Sequence, residues 1–125
     1  MTVLIVEDNA SVRRLLRRAV QQIATEIWEC ADGADALAVY SEQLPNVVLM
    51  DVRMPIMDGL AATRQIRKAD PQARIIIVTD CDDEETRAAA SEAGAWGYAL
   101  KQDLTTLEAL IRRPLDSTDQ FSNSK

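Results

Sequence analysis

Short unbroken apolar runs alternate along this chain with longer stretches whose apolar residues recur at helical spacing. The runs at residues 3–6 and 47–50 have the character that a strand needs when both faces are buried. Residues 74–78 read as a strongly β-branched strand, and shorter strands are expected at 26–30 and 96–100. Between the first two strands, Val12, Leu15, Leu16, Ala19, Val20 and Ile23 mark an amphipathic helix that Asn9 or Ser11 could cap. A small-residue helix is expected at 34–44, where Pro45 ends it, and another at 60–68 with Asp58 as its cap. Asp82, Asp83, Glu84 and Glu85 crowd the first turn of a fourth helix, where anions complement the dipole, and Gly94 fits just past its end. That acidic run reads as capping rather than as a site. A last helix is expected at 103–113, stopped by Pro114.

Five strands alternating with five helices predict an α/β fold, a doubly wound five-stranded parallel sheet covered on both faces. One domain would occupy residues 1–113, and the polar tail, 114–125, is expected to be disordered. Ligands of such sheets bind outside the carboxyl ends of the strands, near the switch point. Glu7 and Asp8 close the first strand, Asp51 the third, Thr79 the fourth and Lys101 the fifth, all at that one edge. Each has a plainer reading: Glu7-Asp8 as a helix cap, Asp51 bonded to loop amides, Thr79 as a β-former, Lys101 paired with an acid. Their shared placement is what favours a site.

Composition narrows the chemistry. Histidine is absent from the 125 residues, which removes His-based triads and any role as a phosphohistidine carrier. The net charge of -6 argues against nucleic acid as the main partner. No apolar run approaches the ~20 residues that cross a bilayer, and no signal pattern opens the chain, so a cytoplasmic location without membrane contact is expected. Cys30 and Cys81 match no metal or redox spacing and read as free thiols. Arg13, Arg14, Arg17 and Arg18 give the first helix a basic face, either a solvated surface or a dock for an acidic partner. Three carboxylates meeting at one place need protons or a cation, and an all-oxygen pocket suits Mg²⁺, with Mn²⁺ as a substitute. A carboxylate can attack phosphorus to form an acyl phosphate, with Lys101 and the Thr79 hydroxyl on the phosphoryl oxygens.

The segments 3–9, 47–59, 77–79 and 94–101 together resemble the receiver domain of two-component response regulators. The wording of the central and last segments looks most like receivers fused to NarL-type helix-turn-helix domains. The resemblance covers residues 1–113 and implies the flavodoxin-like receiver fold. It implies that Asp51 accepts a phosphoryl group from a phosphohistidine on a sensor histidine kinase or histidine phosphotransfer protein. Asp8 and Asp51 would then bind Mg²⁺ directly, Glu7 through water, and the Arg53 backbone carbonyl would be a further ligand. Thr79 and Lys101 would hold the phosphoryl group, and Tyr98 would be the switch aromatic, turning inward as Thr79 moves. Arg53, Asp80 and Cys81 would tune the rates. Output would pass to a downstream protein, or to a second copy, through the face of the fourth helix, fifth strand and fifth helix.

Two departures carry expectations. Asp80 stands where such receivers usually have a small residue, and its carboxylate should slow phosphorylation or shorten the product's life. Gln102, not proline, follows Lys101, so that peptide bond should be trans. No output domain follows residue 113, which reads as either a stand-alone receiver or a piece of a transcriptional regulator. The competing functions are a non-phosphorylated interaction module, an Asp-nucleophile phosphatase and a flavin-binding module. A phosphatase would need a cap and a second acid, and Glu7-Asp8 would repel a flavin phosphate. The expected role is that of a signalling phosphoacceptor with weak self-phosphorylating and self-dephosphorylating activity, not of a metabolic enzyme.

Overall fold

The expected strands all form, in an order that puts the first and third side by side. The structure is a computed structural model that describes residues 1–113. Its elements are β1 (Thr2–Val6), α1 (Ala10–Val20), β2 (Glu26–Cys30), α2 (Ala36–Gln43), β3 (Val47–Asp51), α3 (Gly59–Ala69), β4 (Ile75–Thr79), α4 (Glu84–Ala93), β5 (Gly97–Leu100) and α5 (Leu107–Ile111). The strands form one sheet in the order β2-β1-β3-β4-β5, every pair parallel. The chain reverses its direction of winding between β1 and β3, which opens a crevice at the carboxyl ends of those strands.

Alternation along each strand divides the core in two. Leu4, Val6, Val48, Met50, Ile75 and Ile77 pack with Tyr40 of α2, Ala62 and Ile66 of α3, and Ala90 of α4. On the other face, Val3, Ile5, Val47, Leu49, Ile76 and Val78 meet Leu16 and Val20 of α1 and Leu107 and Ile111 of α5. Burying each large aliphatic side chain contributes about 1.5–3 kcal/mol. The two layers fix the register at the functional edge, where Val6 pairs with both Cys30 and Met50, Asp51 with Val78, and Thr79 with Leu100.

Local chemistry sets the helix ends. Asn9, Asp58 and Asp83 each accept a backbone N–H of the turn that follows, at 3.0, 2.8 and 2.6 Å. Gly94 closes α4 at φ 98, a conformation that favours glycine. The acidic run acts as expected: Asp83 caps α4, and Asp82 pairs with Arg87 at 3.5 Å. No peptide bond among the described residues is cis, so the Lys101–Gln102 bond is trans.

Three expectations need correction. The first helix stops at Val20, leaving Ile23 in a turn, and Leu15 faces outward at 49% exposure. The apolar pattern is wider than the face that the sheet can cover. The second helix begins at Ala36 rather than 34, because Asp32 holds the Asp35 N–H at 3.0 Å in a turn. The last helix is a single stretch, Leu107–Ile111, instead of the whole of 103–113. Asp103 bridges back to Leu100, and its carboxylate accepts from Thr105 N and Thr105 Oγ1, at 3.3 and 2.6 Å, which holds the segment in a turn. The Pro114 stop and the tail, 114–125, lie outside the described residues.

Candidate functional site

β1 carries its ladder one residue beyond the strand, where Glu7 N donates to Cys30 O at 3.0 Å. This brings the Glu7 side chain under the sheet edge, 1% exposed, while Asp8 lies at the rim. Asp51, the last residue of β3, is 3% exposed. One carboxylate oxygen from each of Glu7, Asp8 and Asp51 lies within 4.8 Å of the others. Just past β5, Lys101 reaches across to Asp51 Oδ1 at 2.9 Å and Glu7 Oε1 at 3.1 Å. Its own N–H donates to Thr79 O at 2.8 Å, which fixes the start of that reach.

One ammonium thus pairs with two of the three carboxylates. Burial, first of all, raises the carboxyls of both Glu7 and Asp51 above their ordinary range. Burial alone would lower the Lys101 ammonium, but hydrogen bonds to Asp51 and Glu7 together outweigh it and raise the pKa. Glu7 Oε2 accepts from Asn9 N at 3.1 Å. Glu7 Oε1 is buried, and the partner it has is the Lys101 ammonium at 3.1 Å. Three clustered carboxylates, two of them buried and sharing a single ammonium, are what a hard divalent cation satisfies. The donor set fits Mg²⁺.

The remaining predicted residues form a second group beside the first. Thr79 is 2% exposed, and its hydroxyl accepts from Cys81 N at 3.2 Å. The Tyr98 ring points inward, 6% exposed, and its hydroxyl donates to Cys81 O at 2.6 Å. Arg87 of α4 lies 4.4 Å from the centre of that ring. Both sides of the Cys81 peptide segment are therefore held, one by each expected switch residue. At the rim, Arg53 Nη2 lies 3.0 Å from Cys81 Sγ, which is 3.6 Å from Asp80 Oδ1. Arg53, Asp80 and Cys81 thus share one edge of the pocket. Cys30, by contrast, is a buried free thiol, pushed up to about 11 by burial and then by Asp35 and Asp32.

Sequence reading took Asp58 as a helix cap, but its neighbour Gly59 has a task of its own. A Cβ there would sit 1.8 Å from Asp51 O and 2.8 Å from Asp51 C. Only glycine lets α3 begin against the main chain of Asp51. Close approach of this kind leaves no signal in composition or period. The basic face of α1 is also partly spent inside the domain: Arg13 and Arg17 both grip Glu29 on β2, at 3.2 and 2.8 Å.

The crowded carboxylates predict a stability effect. A carboxyl raised in the folded state contributes stability that is full below its unfolded value, near 4.5 for Glu7 and 3.8 for Asp51. That contribution is lost as pH rises through the raised value. Asp70 and Asp83, whose carboxyls are lowered by hydrogen bonds from Tyr40 and the Thr86 amide respectively, act in the opposite direction. The difference between wild type and Asp51→Asn isolates the site. In metal-free buffer at pH 7, Asp51→Asn should be more stable by about 1–2 kcal/mol, the low end for neutralising a buried ionic cluster. The gap should close as pH falls toward 4, as read from urea unfolding. A less stable variant at pH 7 would show that Lys101 already compensates the cluster.

Comparison with known proteins gives a consistent result. The chain matches the response regulator receiver domain family over residues 3–112. It is 39% identical to the chemotaxis protein CheY of Halobacterium salinarum over 99 residues, 79% of this chain and 82% of that protein. It is 33% identical to the probable transcriptional regulator ycf27 of Porphyridium aerugineum over 123 residues, 98% of this chain and 51% of that protein. The chain therefore spans about half the length of that regulator. A two-component response regulator of the LuxR family from Aurantimonas sp. SI85-9A1 superposes with a TM-score of 0.79 at 33% identity, over 88% of this chain and 84% of that one.

Proposed function

This chain belongs to the response regulator receiver domain family, and on that premise we propose that it is a phosphorylation-controlled switch with Asp51 as its phosphoacceptor. The observation that carries the proposal is the contact of Lys101 with Asp51 at 2.9 Å inside the cluster of Glu7, Asp8 and Asp51. The donor is a phosphohistidine of a sensor histidine kinase or histidine phosphotransfer protein. An Asp51 carboxylate oxygen attacks phosphorus as the N–P bond breaks, and the electron pair leaves with the imidazole. Asp8 and Asp51 would hold the metal directly, with Glu7 acting through water and the Arg53 carbonyl as a further ligand. When bound there, Mg²⁺, or Mn²⁺ in its place, would supply charge shielding for the phosphoryl oxygens. Lys101 keeps its ammonium at Asp51 and takes one phosphoryl oxygen, and the Thr79 hydroxyl takes another.

For Thr79 to turn toward Asp51, its hydroxyl gives up the Cys81 N–H. That loosens the Cys81 segment, whose carbonyl holds Tyr98. Output follows through the surface of α4, β5 and α5, to a downstream protein or a second copy, with no nucleic acid bound by this domain. The role is that of a cytoplasmic signalling phosphoacceptor, with only slow self-phosphorylation and self-dephosphorylation as catalysis. No described helix is long and apolar enough to cross a membrane.

Intact-mass spectrometry after incubation with acetyl phosphate and Mg²⁺ tests the proposal. One phosphoryl group should add to the wild type, and none to Asp51→Asn or to wild type without metal. No adduct on folded protein, even with a more reactive donor, would point to an interaction module that is not phosphorylated. The rim charge has its own consequence. Asp80 is exposed beside Cys81 and repels an incoming dianion. Asp80→Ala should speed modification by acetyl phosphate roughly 3- to 10-fold at low ionic strength, and salt should erase most of the gain. Equal rates for the two proteins at low salt would remove Asp80 from the account.

A further inference from the structure

Arg13 of α1 makes a contact that a solvated basic face does not need. Its Nη1 donates to the main-chain carbonyl of Glu7 at 2.8 Å, and its Nε donates to Glu29 Oε1 at 3.2 Å. The other oxygen of Glu29 accepts from Arg17 Nε at 2.8 Å, so the carboxylate that orients Arg13 is itself fastened. The Glu7 peptide is thereby held on both sides, its N–H by Cys30 O and its C=O by Arg13. The next residue is Asp8, and the Glu7 side chain places its buried carboxylate in the cluster with Asp8 and Asp51. A planar guanidinium serves two acceptors in different directions with one fixed fork, more rigidly than an ammonium on a flexible stem. Arg14, the neighbouring arginine, spends itself on Ser11 instead, at 3.1 Å.

From this we propose that Arg13 is a positioning residue for the divalent-cation site, setting the turn at Glu7-Asp8 through the Glu7 carbonyl, with Glu29 as its orienting partner. The inference rests on the metal-binding part of the function proposed above. Partners of metal ligands typically change affinity by about 10- to 100-fold when removed. The contact here is to main chain and partly solvated, which places the effect near the low end.

Mn²⁺ alone is the probe, with free ion counted by electron paramagnetic resonance, and the melting temperature of metal-free protein measured alongside. Arg13→Ala should weaken Mn²⁺ binding roughly tenfold. Arg13→Lys should recover only part of the loss. Glu29→Gln, which leaves the Glu7 contact in place but loosens its holder, should weaken binding by a smaller factor. The double variant Arg13→Ala/Glu29→Gln should bind no worse than Arg13→Ala, because the two residues act in series. A lower melting temperature with wild-type Mn²⁺ affinity in Arg13→Ala would make the role purely structural and overturn the inference. If Arg13→Ala does not fold, unchanged affinity in both Arg13→Lys and Glu29→Gln overturns it equally. Wild type that binds no Mn²⁺ would instead refute the metal-binding reading itself.

Discussion

Replacing Lys101 with alanine is expected to destabilise the metal-free protein by about 2–4 kcal/mol at pH 7.5 and to abolish the phosphoryl adduct. The ammonium is the cation paired with both Asp51 and Glu7, which lie almost wholly out of water. Removing one partner of a buried ionic group costs about 3–5 kcal/mol, because the charges left behind have neither water nor a counter-charge. Lys101 itself is 22% exposed, which reduces that figure. The deficit depends on pH in a defined direction. Both carboxyls are already raised by burial, and losing the lysine removes a contact that lowers each of them. They therefore protonate more readily in the variant, and the deficit should shrink as pH falls toward their ordinary range. Mg²⁺ should also stabilise the variant more than wild type, since it supplies the missing positive charge. Urea unfolding at pH 5 and 7.5, with and without Mg²⁺, separates these effects. A deficit of equal size at both pH values would assign Lys101 to packing rather than to charge.

Gly59→Ala should be the other severe change. The added methyl would meet Asp51 O at 1.8 Å and Met50 Cγ at 2.9 Å, so backbone must move rather than a flexible side-chain tip. Overpacking in a close-packed interior costs about 1–3 kcal/mol and sometimes more, and a main-chain obstacle belongs at the upper end. The relief has two routes: α3 shifts away from β3, or Asp51 moves out of the cluster. Either way, the hydrogen bond from Gly59 N to Val52 O, 2.8 Å, is disturbed one residue from Asp51. We expect a stability loss of about 3 kcal/mol together with weaker Mg²⁺-induced stabilisation. A variant that is less stable yet keeps the full Mg²⁺ effect would show that α3 alone absorbs the clash.

The sheet was legible in the sequence because a strand buried on both faces has a simple signature, as in the unbroken 47–50 and 75–78. Caps were equally readable: Asp58 and Asp83 act through a side chain and an amide a few residues apart, a wholly local matter. The site residues Glu7, Asp8, Asp51, Thr79 and Lys101 could be brought to one edge by topology alone. Contacts between elements were not legible. Nothing in the α1 pattern distinguishes Arg13, which reaches the Glu7 carbonyl, from Arg18 or the outward Leu15. The short α5 was misjudged for a related reason, since Asp103 spends its carboxylate on Thr105 and its backbone on Leu100. The inward Tyr98 ring, tied to the Cys81 carbonyl, depends on where the β4–α4 loop runs. Period along β5 carries no information on that.

The most direct test of the account is to locate the phosphoryl group. Protein treated with acetyl phosphate and Mg²⁺ is reduced with borohydride, which converts an aspartyl phosphate to homoserine, and is then mapped by peptide mass spectrometry. Homoserine at position 51, and at no other carboxylate, is the result predicted here. Modification of Asp8 or Asp80, or a phosphoryl group that resists borohydride because it sits on a hydroxyl, would contradict the assignment of Asp51 as the phosphoacceptor.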